Sequence, residues 1–234
     1  MAFGGLLGTL TGNGNSVGAT NALSGSVVVK VGDLVFVCFG QQTNLTATGT
    51  TDNLGNTYSA QNAGTDAGAA TGRAFYTVVT AAGTLTTCTV AASSSTNDYA
   101  GFVAVIDGPF TTIDANPANA TADTTSPFTC PATGTLAQAD EVVMCWIASD
   151  GSASWSATSP NLKAGQANNS TNIKVTIGYQ AVTATTTVSP EFTGTNPTVD
   201  ALGTCSFKRD TTKIPGTMLL GDLRNKLTWA GGNA

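Results

Sequence analysis

The sequence predicts an all-β chain: a jelly-roll-like antiparallel β-sandwich built from two pseudo-repeated halves, with extended N- and C-terminal arms. Three observations predict it. First, Gly32-Asp33-Leu34-Val35-Phe36-Val37-Cys38-Phe39-Gly40 is echoed by Ala139-Asp140-Glu141-Val142-Val143-Met144-Cys145-Trp146-Ile147. In each, an acid opens a bulky apolar run, with Cys and then an aromatic at matched places. Short continuous runs of this kind, rich in β-branched and aromatic residues, read as strands buried on both faces. Second, strand patterns recur at short spacing with turn residues between them, and no segment carries a helical apolar period. Third, charged residues make up only 10% of the 234, against about 25% in ordinary soluble domains. Thr, which favours strands, and Gly, Asn and Ser, which favour turns, take their place. A hydrophobic content of 41% argues against disorder.

The elements follow in order. Residues 1–24 are Gly-, Asn- and Thr-rich with scattered Phe3, Leu6, Leu7 and Leu10, and read as an N-terminal arm. The sandwich is expected over 25–208. Ser26–Val31 is its first strand, turned at Gly32-Asp33 into the organising strand. Residues 41–57 form a polar loop ending in Asp52-Asn53-Leu54-Gly55-Asn56-Thr57-Tyr58, whose Asn, Asp and Gly specify tight turns. Strands follow at 73–79, 84–90 and 99–106, closing a first half of 26–108. Residues 109–138, with three prolines in 110–138, read as a linker. In the second half, 139–208, Tyr179-Gln-Ala-Val182 matches Tyr76-Thr-Val-Val79, and Asp200-Ala-Leu-Gly203 matches Asp98-Tyr-Ala-Gly101. The offsets are 107 for the Cys pair, 103 for the Tyr pair and 102 for the Asp/Gly pair. Because each half offers only three or four strands, a single sandwich is favoured over two.

Residues 209–234 form a basic, apolar tail. From Lys208 onward the chain carries Lys208, Arg209, Lys213, Arg224 and Lys226 against Asp210 and Asp222, which leaves +3 there and −8 on the rest. An acidic body is a poor nucleic-acid binder, since that binding rests on neutralising phosphates. Exposed apolar residues at this density mark a docking segment. Ile214, Met218, Leu219, Leu220, Arg224, Lys226 and Trp229 are therefore the candidate partner-binding residues.

Candidate chemistry is sparse. The chain has no His, which excludes Ser-His-Asp and Cys-His machinery and, with no CxxC spacing among its five Cys, makes zinc improbable. The Cys read as buried core thiols in a reducing compartment, with a disulfide left open. Asp33, Asp140, Glu141 and Glu191 could form a carboxylate pair for glycoside hydrolysis, although strand-start and turn roles are the simpler reading. Asp52-Asn53-Leu54-Gly55-Asn56 has oxygen ligands for Ca²⁺ but few acids, so a structured turn is expected and no metal or other cofactor. Trp155, on a loop, and Tyr58 are the candidate glycan-binding aromatics. The N-terminus has no basic region ahead of its Gly-broken apolar run, and no stretch is long enough to span a bilayer; synthesis and assembly in a cytoplasm are expected.

Gly32-Asp-Leu-Val35, Asp52-Asn-Leu-Gly-Asn-Thr-Tyr58 and Ala81-Ala-Gly-Thr84 before a Thr-rich strand together form a pattern. It resembles tailed-phage virion structural proteins of the decoration or cement kind, with a jelly-roll β-sandwich, and related bacterial surface modules. The resemblance covers 26–108 directly and 139–208 through the internal match, where Asp150-Gly151-Ser152 replaces the Asp-x-x-Gly-Asn turn. It implies a non-enzymatic structural or adhesive module located in the virion, attached to the major capsid protein or other virion proteins. It also implies a homo-oligomer, a trimer at a symmetry axis. The alternative it leaves open is a carbohydrate-binding adhesin on a tail or cell surface.

Overall fold

A computed structural model describes residues 3–42, 47–61, 64–65, 70–93, 97–117, 120–121, 126–151, 154–158, 162–169, 172–195 and 200–213. The fold is an all-β antiparallel sandwich. In the first half the strands are β1 (Leu6–Gly14), β2 (Thr20–Val29), β3 (Leu34–Gln42), β4 (Ala47–Asp52), β5 (Ser59–Ala60), β6 (Gly64–Thr65), β7 (Ala70–Val78), β8 (Gly83–Ala92) and β9 (Tyr99–Ile106). In the second they are β10 (Phe110–Ile113), β11 (Ala120–Thr121), β12 (Phe128–Thr129), β13 (Glu141–Asp150), β14 (Ser154–Ala157), β15 (Leu162–Asn169), β16 (Ile173–Val182), β17 (Glu191–Thr195) and β18 (Asp200–Arg209). One 3₁₀ turn, Thr211–Lys213, follows.

Among the described residues, no strand of the first half pairs with one of the second. The first half forms one sheet in the order β4-β8-β2-β1-β9-β3-β7-β5, with β6 also on β7. This sheet closes on itself: β4 touches β7 across five intervening strands, and Arg73 Nη1 on β7 donates to the Ala47 carbonyl of β4 at 2.7 Å. Leu10, Leu23, Val35, Val37, Phe39, Phe75, Leu85, Val90, Val103 and Val105 fill the space inside. The second half forms two sheets, β10-β18-β13-β16-β15 and β12-β17-β14. Phe128, Cys130, Cys145, Ile147, Trp155, Phe192 and Leu202 lie between them.

A third core joins the halves. Leu34, Phe36, Cys38, Ala74, Phe102, Ala104 and Ile106 of the first meet Val142, Met144, Trp146, Ile173, Val175, Ile177 and Phe207 of the second. The run of apolar residues in β3 and β13 follows from this layering. Both strands have a core on each face, so the alternation of a half-solvated strand is lost and nearly every residue is buried. Strand β2, in an outer layer, keeps an alternating pattern.

Three expectations are corrected. Residues 6–14 of the expected N-terminal arm are β1, paired with β9 from Leu6 to Gly14 and with β2 at Leu10 and Thr11. Its glycines are packing residues, since a Cβ at Gly12 would come within 2.4 Å of the Ala22 carbonyl oxygen. The expected linker 109–138 contributes β10 and β11, both on β18, and β12, on β17. Each half also builds a core of its own beside the core that they share. The expected offset of 107 between the cysteines fails on burial. Cys38 faces the core shared by the halves, whereas Cys145 faces the core within the second. A strand's side chains alternate, so these two cysteines are not equivalent positions.

Candidate functional site

A concavity of about 620 Å³ forms a slot where the two halves meet. Its walls are the end of β7 (Tyr76–Val78, continuing to Thr80), Ser59 of β5, and the whole of β10 (Phe110–Ile113), with Val31 and Gly32 at one end and Asp210 at another. The two strands lie at sheet edges here: β5 covers β7 only at Tyr76 and Phe75, and β10 pairs on one side alone, with β18. Val31 is 56% exposed and Val28, at the end of β2, is 68% exposed; they are the exposed large hydrophobics among the described residues. A slot of hydroxyls, strand edges and an apolar rim suits an extended chain that adds backbone hydrogen bonds. Asp210 is buried, and its Oδ1 accepts from the Thr212 N–H and Oγ1; burial pushes the Tyr76 phenol upward. Sequence reading missed the slot because β10 lay in the expected linker.

The candidate partner-binding residues Ile214, Met218, Leu219, Leu220, Arg224, Lys226 and Trp229 lie outside the described residues.

The candidate glycan-binding aromatics sit otherwise than expected. Trp155 lies on β14, not on a loop, and is 1% exposed. Phe128 meets its ring edge-on at 4.9 Å, Nε1–H donates to Ser149 Oγ at 2.9 Å, and Gly194 lies beneath, where a Cβ would come within 2.4 Å of the indole. The ring is a core anchor and offers no face to a sugar. Tyr58 is half-buried, and its hydroxyl donates to Asp52 Oδ2 at 2.9 Å with Cys88 Sγ 3.6 Å away.

That contact belongs to the Asp52 turn. Asp52 Oδ1 accepts from the Leu54 and Asn56 N–H groups, while Oδ2 accepts from Asn56 Nδ2 and Tyr58. Asn56 Oδ1 in turn accepts from the Thr80 and Ala81 N–H groups, and Asn53 Oδ1 from those of Thr86 and Thr87. The cluster pins the turn to the β7–β8 hairpin. Burial, with Cys88 and Asp52 nearby, pushes the Tyr58 phenol far up, and burial pushes the Cys88 thiol up to about 12.

The candidate carboxylates are likewise structural. Asp33 is buried and accepts from the Lys30 and Gly108 N–H groups at 2.7 and 3.0 Å. Glu141 is buried and accepts from the Gln138 N–H at 3.2 Å. Asp140 lies 3.7 Å from Arg209, and Glu191, on β17, accepts from Thr129 Oγ1 at 3.5 Å. All five cysteines are buried and none forms a disulfide; burial holds the thiols of Cys38, Cys130 and Cys205 well above the ordinary range. Comparisons with protein-family models, with curated proteins and with solved structures give no match to this chain.

Proposed function

We propose that this is a non-enzymatic virion structural protein, a capsid decoration or cement protein. The major capsid protein or another virion protein is its partner, and the tail from Ile214 onward is the anchor. The observation that carries this is the winding of the strands. In the first half β1-β9-β3-β7 runs on through β1 and β2 into β2-β8-β4, an order that supports the reading of a jelly roll, a fold used by viral capsid and lectin domains. Fold analogy alone does not name a function. Two further observations favour a structural one. The buried acids Asp33 and Glu141 accept from backbone amides, and the tail begins beside an apolar-rimmed slot. A few large apolar anchors suffice for attachment, since burying each contributes about 1.5–3 kcal/mol.

The test removes 214–234 and keeps Asp210, which is buried and donates its N–H to the Pro109 carbonyl. The truncated protein should keep its circular dichroism and thermal midpoint but no longer cosediment with shells of the cognate capsid protein. Undiminished cosedimentation would sink the tail as anchor. The glycan-binding alternative would need a platform other than buried Trp155.

A further inference from the structure

We infer that the chain is an internally duplicated dimer: its halves meet about a local two-fold axis, so the sheet face available for self-association is already filled within one chain. The evidence is in the pairing. The second half winds as β10-β18-β13-β16 with β12-β17-β14 over it, the order of β1-β9-β3-β7 with β2-β8-β4 over it; β15 lies on β16 as β5 and β6 lie on β7. Strand register makes the match residue by residue. Phe36 stands opposite Tyr76 and Ala104, and Met144 opposite Tyr179 and Cys205. Gly40 stands opposite Gly72 and Ala100, and Ala148 opposite Val175 and Ala201. Carried to the strand starts, this register sets Gly32 on Asp140, both at positive φ, and Asp33 on Glu141. Each of these two acids accepts from the backbone N–H three residues earlier.

The contacts across the shared core are reciprocal, as a two-fold requires. A Cβ on Gly40 would meet Val175 and Ala148; one on Gly72 would meet Ala148 and Trp146. Gly40 against Val175 and Ala148 against Gly72 are images of one another, and Gly40 against Ala148 is its own image. Whole strands obey the same exchange: β3 touches β16 as β13 touches β7, and β9 touches β16 as β18 touches β7. The two faces complement each other and not themselves. The first half places Gly40, Gly72 and Cys38 where the second places Ala148, Val175 and Trp146, so two copies of the second face would overfill the space.

This deepens the proposed function by fixing stoichiometry: each chain attaches as a single copy, not as a trimer. Light scattering on the full chain over a hundredfold concentration range should give 23.4 kDa; a stable trimer or dimer overturns the inference. Monomers that do not cosediment with shells keep it and remove the virion reading. An exchange across the axis tests the axis itself. Cys38→Trp with Gly40→Ala and Gly72→Val should overfill the core, and Trp146→Cys with Ala148→Gly and Val175→Gly should hollow it. Combined, the six should recover most of the lost thermal midpoint. Losses that simply add overturn the two-fold.

Discussion

The two halves wind alike but close differently. In the first, β1 pairs with β2 as well as β9, so one continuous sheet curls round its core. In the second, β10 and β12 are short and, among the described residues, are not paired with each other, so the sheets β10-β18-β13-β16-β15 and β12-β17-β14 meet through packed side chains. One winding can therefore be stabilised by a backbone ladder or by a few aromatic anchors. The second solution concentrates stability in fewer residues, and substitution there should separate the two.

The largest effect is expected at the tryptophans. Trp146 lies in the core between the halves; its Nε1–H donates to Gln61 Oε1 at 2.8 Å, and Gln61 Nε2 donates to the Thr204 carbonyl at 2.6 Å. Trp155 serves the second half alone. Each Trp→Ala change should cost about 3–5 kcal/mol. Each change also leaves a buried acceptor short of a donor, Gln61 Oε1 or Ser149 Oγ, a further loss of about 1–3 kcal/mol. Trp146→Ala should cost the more, because its ring fills the core that joins the halves. Urea unfolding checks both. Equal losses would mean that the joint between the halves is no more cooperative than the second half's own core.

The paired acids should respond with opposite signs. Both carboxylate oxygens of Asp33 accept from backbone N–H groups, so Asp33→Asn turns an amide NH₂ against a donor and should cost about 1–3 kcal/mol. Glu141 differs. Burial pushes its carboxyl above the usual range, despite the Gln138 N–H. The folded state therefore binds its proton more tightly than the unfolded state does. Its contribution is greatest below the ordinary carboxylate pKa and is lost as pH rises through the raised value. Glu141→Gln, which keeps an acceptor for Gln138, should remove that loss and raise stability near pH 8 while changing little near pH 4. Denaturation midpoints across that range decide it; a Gln variant weaker at pH 8 would contradict the burial cause.

How much of this was legible in the sequence depends on which face a residue takes. The all-β class, the organising strands and the Asp52 turn follow from local pattern, because apolar runs and Asn/Asp/Gly turns act over a few residues. The internal sequence match set Cys38 on Cys145, whereas the strand pairing of β3 and β13 differs from that alignment by one residue. Both strands are buried on both faces, so neither the inward nor the outward set stands out as apolar, and nothing local sets the register. Cross-strand partners do: they move the Cys38 equivalence to Trp146. The arm and linker were misread for a related reason. Gly8 and Gly12 look pliant in sequence, yet they are small because Val27 and the Ala22 carbonyl press on them, and the Thr-rich 110–113 is ordered by pairing with β18. Trp155 looked exposed because Gly-Ser residues precede it, and its partners Phe128 and Phe192 lie far away in the chain.

The smallest expected effect lies at the turn that opens each organising strand. Gly32 has φ +96 and Asp140 φ +62, a region costing an L-residue about 1–2 kcal/mol. The first half meets the demand with glycine. The second uses Asp, which tolerates that region better than most residues and gains only a half-exposed contact with Arg209 at 3.7 Å, of a kind contributing about 0–1 kcal/mol. Asp140→Gly should therefore be neutral or stabilising by up to about 1 kcal/mol, with the Arg209 contact subtracting from the relief of strain. Gly32→Ala should destabilise, since it adds the strained φ and sets a Cβ 3.1 Å from Pro109. If Asp140→Gly is clearly destabilising instead, the aspartate side chain holds the second turn by a contact that the first turn does without, and the two turns are then different devices at one position of the fold.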